Sequence, residues 1–186
     1  MKLLHKFIAA TLAVSLLAGC SSEPKKEGPP SDKDFILNVS KGLEARWELA
    51  DNEDTDSYSS AELQKAYTKF LKAETDAVGK ESKYKFKDKD LKKVADTYYK
   101  GLKLQEEGIQ YAGTDDYTNQ EKTWELGYNY RALAIHEFEK DYGLTVNSKY
   151  KSDLDDFLSQ YSVAKKEVAI QEFVDNLQES IQYTKD

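Results

Sequence analysis

The chain of 186 residues holds a single cysteine, Cys20, so it has no disulfide framework and its fold must rest on a core. Its three prolines, Pro24, Pro29 and Pro30, all fall in one short stretch, and about 150 later residues contain no helix breaker of that kind. After residue 20 the only histidine is His136. It is followed by Glu137 but lacks the His-Glu-x-x-His spacing of a zinc protease, and with no second His or Cys to complete a closed zinc site it reads as a polar residue on a helix surface. There is no Gly-x-Ser-x-Gly elbow, and Gly101, Gly108 and Gly113 lie in or just after helical pattern rather than between strand and helix. No catalytic residue is assigned, and the chain is read as a non-enzyme. Arginine occurs only at Arg46 and Arg131, against 25 lysines. No stretch alternates apolar and polar residues over a strand's length, the nearest being Tyr84-Lys85-Phe86.

The N-terminus carries a basic start, Lys2, His5 and Lys6, and then an apolar run from Phe7 to Leu17 that ends in Leu17-Ala18-Gly19-Cys20. The run is too short to cross about 30 Å of hydrocarbon, which takes about 20 residues. It resembles the signal sequence and lipobox of bacterial lipoproteins. That resemblance implies lipidation of the Cys20 thiol, cleavage just before it, and anchoring on the extracytoplasmic face of the cell membrane. The domains expected are a removed signal at 1–19, a lipidated tether at 20–33 and a helical domain at 34–186. Removing Lys2 and Lys6 leaves 25 basic against 34 acidic residues, a formal charge of −9 in place of −7. The lysine bias, typical of AT-rich genomes, points with the lipobox to a Firmicute. Residues 12–19 are also similar to the octapeptides that enterococci release from lipoprotein signals as mating pheromones.

Residues 21–33, SSEPKKEGPPSDK, offer nothing apolar to bury and read as a flexible tether reaching about 20 Å. Ile36, Val39, Leu43 and Trp47 then repeat at helical spacing from about residue 31 to 50. Ser59 and Glu62 form a capping-box spacing ahead of Leu63, Ala66, Tyr67, Phe70, Leu71, Ala77 and Val78, and Gly79 is a natural stop. Asp88 caps a third helix, whose stripe is Leu91, Val94, Ala95, Tyr98, Leu102 and Ile109 and which is expected to end near Gly113. A fourth helix, from about 118 to 142, is apolar on two faces and is the expected central one. A short helix near 152–161 and a last one near 162–183, with Ile170, Val174, Leu177 and Ile181 as its buried stripe, complete an all-α, single-domain bundle of five or six helices. Two segments look alike: Gly79 leads to Ser82-Lys83-Tyr84-Lys85, and Gly143 to Ser148-Lys149-Tyr150-Lys151.

Two candidate sites stand out. Counted from Asp51, Glu53, Thr55 and Glu62 fall at positions 3, 5 and 12, the ligand spacing of a calcium loop, with Asp56 where that loop needs glycine. The alternative is a solvated acidic turn before a capped helix, and any calcium binding is expected to be weak. Lys83, Lys85, Lys87, Lys89, Lys92 and Lys93 lie in a locally basic stretch that suits an anionic partner or, equally, a solubilising face. Without arginine it lacks a bidentate phosphate grip, and nucleic acid is not the expected partner. Tyr67, Tyr98, Tyr128, Tyr130 and Tyr161 sit on stripes, whereas Tyr99, Tyr111, Tyr117 and Tyr183 are expected at the surface.

The layout as a whole is similar to mobile-element lipoproteins that exclude phage or conjugative DNA, and to envelope chaperones and adhesins. It implies a non-enzymatic module, held to the membrane by its lipid anchor, that binds a protein or other envelope partner; the alternative is a lipoprotein that binds a small ligand or metal ion. Replacing the thiol tests the anchor: Cys20→Ala is expected to accumulate as uncleaved precursor without acyl label. Membrane partition of that variant after signal removal would refute lipid anchoring.

Overall fold

The computed structural model describes residues 30–183, so Cys20, the signal and most of the tether lie outside the described residues. Those residues form an all-α bundle of α1 (Asp32–Ala50), α2 (Ser60–Val78), α3 (Lys89–Gly108), α4 (Tyr117–Gln120), α5 (Leu126–Tyr142), α6 (Lys151–Ser159) and α7 (Tyr161–Tyr183). A π-helical stretch, Glu121–Glu125, joins α4 to α5, so that the two run on as one rod and the bundle has six rods. No strand occurs among the described residues, and no described helix is long and apolar enough to cross a membrane.

Local chemistry sets the helix ends. Ser31 and Asp34 close a capping box on α1, Ser59 and Glu62 close one on α2, and the Asp88 carboxylate accepts from the Asp90 and Leu91 amides at the start of α3. Gly79 and Gly143 end α2 and α5 with φ of 77° and 69°, a left-handed turn that glycine makes without a Cβ clash. In each of the two look-alike segments the glycine is followed by a 3₁₀ turn and a buried tyrosine, Tyr84 or Tyr150, before the next helix. The likeness is local, because α3 has 20 residues and α6 only 9.

The strongest packing is between α1 and α2 and between α3 and α5, with α7 laid on the other side of α5. The two-faced α5 is therefore central. Phe35 sits at the middle of the core, edge-on to Tyr84 and Phe86 at 5.0 Å and to Phe138 at 5.5 Å between ring centroids. Helices α3 and α5 approach so closely that their contact has room only for glycine. A Cβ on Gly101 would lie 2.6 Å from the Gly127 carbonyl oxygen and 2.7 Å from Arg131 Cγ, and one on Gly127 would lie 2.7 Å from the Gly101 carbonyl. Gly108 meets the π-helical stretch in the same way, 2.6 Å from the Trp124 nitrogen.

Three expectations are corrected. The stripe read on the last helix is inverted: α7 buries Ala164 and Val168, while Ile170, Val174 and Leu177 are exposed and the Ile181 side chain lies outside the described residues. At 3.6 residues per turn Ile170, Val174 and Leu177 fall on the side of the helix away from Ala164 and Val168, so their spacing is regular but turned from the core. The third helix ends at Gly108 rather than near Gly113, because a 3₁₀ turn at Ile109–Tyr111 takes over. Tyr99, expected at the surface, is partly buried and donates its hydroxyl to the Gly79 carbonyl at 3.0 Å.

A methyl at Gly101 meets backbone rather than a movable side chain, so the helices must separate to admit it. Gly101→Ala is expected to cost about 1–3 kcal/mol in urea unfolding, and an unchanged midpoint would refute the close-approach argument.

Candidate functional site

Both arginines of the chain converge on one carboxylate. Glu74 of α2 and Arg131 of α5 are fully buried, and Arg46 of α1 is nearly so. Arg131 Nη2 donates to both Glu74 oxygens at 2.6 and 2.7 Å, and Arg46 Nη1 donates to Glu74 Oε2 at 2.9 Å. The Tyr98 hydroxyl donates to Glu74 Oε1 at 2.6 Å. Gln105 Oε1 accepts from Arg46 Nη1 and Arg131 Nη1, each at 3.0 Å. Four helices thus contribute to a polar knot at the centre of the bundle.

The sequence carries a signal for it. Glu74 lies three after Leu71 and four before Val78, Gln105 three after Leu102 and four before Ile109, and Arg131 three after Tyr128 and four before Ile135. Each polar residue occupies a stripe position, where charge is normally avoided. The hydrophobic patterns are complete without these residues, which is why a search for apolar periodicity passes over them.

Burial opposes ionisation of Glu74, but Arg131, Arg46 and the Tyr98 hydroxyl together outweigh it and hold the carboxyl below its ordinary value. Burial, helped by the Arg131 charge, moves the Arg46 guanidinium down. Burial and the Glu74 carboxylate push the Tyr98 phenol well up, so it stays a donor. The knot holds two positive charges against one negative. Among the described residues Arg131 Nε and Gln105 Nε2 are buried donors with no acceptor, and Arg46 donates to the knot through Nη1.

A cavity of about 310 Å³ opens beside this knot, lined by Arg46 and Arg131, by Trp47, Tyr128 and Phe157, and by the α6 residues Asp153 and Asp156. The Phe157 ring lies under the Arg131 guanidinium at 5.3 Å and packs on Tyr128 at 4.5 Å. Next to it, sharing Tyr128 and Gln160, a groove of about 670 Å³ runs between the π-helical stretch and α7, with Trp124, Leu126, Val163 and Ile170 in its walls.

The residues singled out in the sequence lie elsewhere. Glu53 is engaged by Lys69 Nζ at 2.7 Å and by the Tyr58 hydroxyl. Glu62 is bound to Ser59 in the capping box, Asp51 ends α1 and Thr55 begins a 3₁₀ turn. Among the described residues no group of three or more His, Cys, Asp or Glu is arranged to hold a metal ion. In the basic stretch Lys92 pairs with Glu81 and Asp96, and Lys93 with Asp90. Lys83 lies over the Tyr84 ring. The ammonium groups of Lys85, Lys87 and Lys89 remain exposed without an ion pair among the described residues. His136 is partly buried and stacked on Tyr161, with 3.7 Å between ring centroids.

Comparisons with protein families, with curated proteins and with solved structures found no match.

Glu74→Gln would leave two buried guanidiniums without a counter-charge and is expected to cost about 3–5 kcal/mol. Because the folded-state carboxyl sits below its ordinary 4.5, its contribution is present above that pH and is lost as pH falls through the folded value. Urea titrations from pH 7 to 3 are expected to show a shallower acid loss in the variant. Parallel curves would refute the role of Glu74.

Proposed function

We propose that this chain is a membrane-anchored, extracytoplasmic and non-enzymatic interaction module whose docking surface is the outer face of α7 with the groove beside it. The observation that carries the reading is the exposure of large apolar side chains along one helix: Val163, Ile170 and Phe173 are 56%, 49% and 64% exposed, with Val174 beside them. Scattered apolar residues on a surface need no explanation, whereas a contiguous row on one helix marks a contact surface. Val163 and Ile170 are seven residues apart, the spacing at which one helix accepts another along its length.

The occupant that fits is an amphipathic helix of a protein partner. The adjoining groove combines the apolar Trp124, Leu126, Val163 and Ile170 with polar side chains, Glu121 and Lys122 from the π-helical stretch and Glu167 and Gln171 from α7. Recognition of a helix by its apolar positions is a common use of such a surface. The anchor follows from the lipobox resemblance, and the proline-containing tether would hold the body off the bilayer with α7 free to meet a partner. The net negative charge favours the same standing-off arrangement over an anionic membrane.

The test uses the full anchored chain in cells. A photo-crosslinking amino acid at position 173 is expected to give one discrete adduct, which the double variant Val163→Asp, Ile170→Asp removes while leaving the melting temperature unchanged. An adduct of twice the chain's mass would make a second copy the occupant and overturn the partner-helix reading. Absence of any adduct, or a marked fall in melting temperature from substitutions on this face, would overturn the docking surface itself.

A further inference from the structure

The cavity beside the arginine knot is lined by groups of opposite charge, from α1 and α5 and from α6, that form no ion pair with one another. Arg46 and Arg131 of the knot line it with donors to spare: both Glu74 oxygens are taken, Arg131 Nε has no acceptor among the described residues, and the Arg46 side chain keeps 12% exposure with its Nη1 engaged. A guanidinium N–H beside a charged cavity is placed to serve an acceptor that enters it. Helix α6 presents Asp153 and Asp156, whose carboxylates form no ion pair among the described residues, because Lys151 of the same helix pairs with Asp155. Neither aspartate comes within the 4.0 Å ion-pair distance of either arginine. Two charged poles thus face one cavity with a gap between them. Trp47 and Tyr128 line the same cavity.

From this geometry we infer that the cavity is a binding site for a small zwitterion of the free α-amino-acid class, its carboxylate on Arg46 and Arg131 and its ammonium on Asp153 and Asp156. A guanidinium grips a carboxylate through paired N–H groups, the geometry that lysine lacks. The aspartates would repel a simple anion, and the arginines a simple cation, so a ligand with one charge satisfies one wall and is opposed by the other. The aromatic walls suit an apolar side chain and add attraction for an ammonium group. About 310 Å³ holds one such molecule and is too small for a folded segment. This site is separate in its chemistry from the apolar α7 surface, and either can fail without the other.

L-Leucine and L-phenylalanine serve as probes, with N-acetyl-L-leucine and L-leucinamide as one-charge analogues, titrated into the full chain in detergent by calorimetry and by thermal shift. Either amino acid is expected to bind with Kd between about 10 μM and 1 mM and to raise the melting temperature. Each analogue is expected to bind at least about tenfold more weakly. The double variant Asp153→Asn, Asp156→Asn lies on the exterior of α6 and is expected to fold, with affinity for the amino acids lowered at least about tenfold. Arg46→Gln is expected to do the same from the opposite wall. The inference is overturned if neither amino acid binds at 10 mM, if the acetylated analogue binds as well as the amino acid, or if the aspartate pair can be neutralised without loss. Should Arg46→Gln fail to fold, the aspartate variant and the analogue series decide the matter.

Discussion

A carboxylate taken out of water needs compensation close at hand, and Glu74 receives it from two guanidiniums and a phenol on three other helices. Apolar surfaces can slide past one another by a residue with modest loss, because dispersion and burial depend little on direction. A guanidinium nitrogen held by both oxygens of a buried carboxylate, at 2.6 and 2.7 Å, cannot. Once α5 presents Arg131 to α2, the register of both helices is set, and Arg46 and Tyr98 set α1 and α3 against the same point. The ion pairs are not the main source of stability, since a buried pair roughly offsets its own desolvation. Their effect is to make any other arrangement of the four helices leave a charge uncovered.

The glycine contact is part of the same device. Arg131 reaches Glu74 because its stem passes over Gly101, at the place where a Cβ would collide with Cγ, and Gln105 stands one helical turn further along α3 against Gly127. Close approach of α3 and α5 shortens the path that a guanidinium must span to reach α2. Gly108 extends the contact onto the π-helical stretch, where Trp124 also stacks on Tyr67 at 4.8 Å. A π-turn admits one extra residue into the helix and shifts the side chains that follow. The rod of α4 and α5 therefore keeps Trp124 toward α2 while Arg131 still points into the knot.

Much of the fold was legible in the sequence, because most of its rules are local. Ser59 with Glu62, Asp88, Gly79 and Gly143 each act within one turn of the chain, and the stripes of Leu43, Leu71, Leu91 and Ile135 each face a core that lies beside them. The inversion on α7 shows the limit of periodicity. Ile170, Val174 and Leu177 satisfy the helical spacing as well as any buried stripe does, and only the position of the body determines that Ala164 and Val168 pack while the larger residues stay outside. The knot was illegible for the opposite reason. Glu74, Gln105 and Arg131 break three separate stripes, and no one-dimensional pattern shows that the three interruptions meet in space. The scarcity of arginine, read as a trait of the genome, turned out to have structural meaning: lysine decorates the surface, and both guanidiniums lie in or against the interior.

The division of labour in the molecule follows from this construction. The region from α1 to α5 is fixed by charge register and by glycine contacts that tolerate no added atom, so it is suited to hold a rigid binding pole. The α6 segment has 9 residues, buries Leu154 and Phe157, and carries its aspartates at the edge of that rigid body. Helix α7 packs through Ala164 and Val168 and exposes its larger side chains on the other face. Recognition surfaces drawn from the least buried elements can vary without disturbing the core. The opposite also holds: the arginines of the cavity cannot be altered freely, because the residues that would receive a ligand's carboxylate are the ones that keep Glu74 covered. In this fold the α6 side of the cavity can change at the least structural cost, whereas a change in either arginine also disturbs the cover on Glu74.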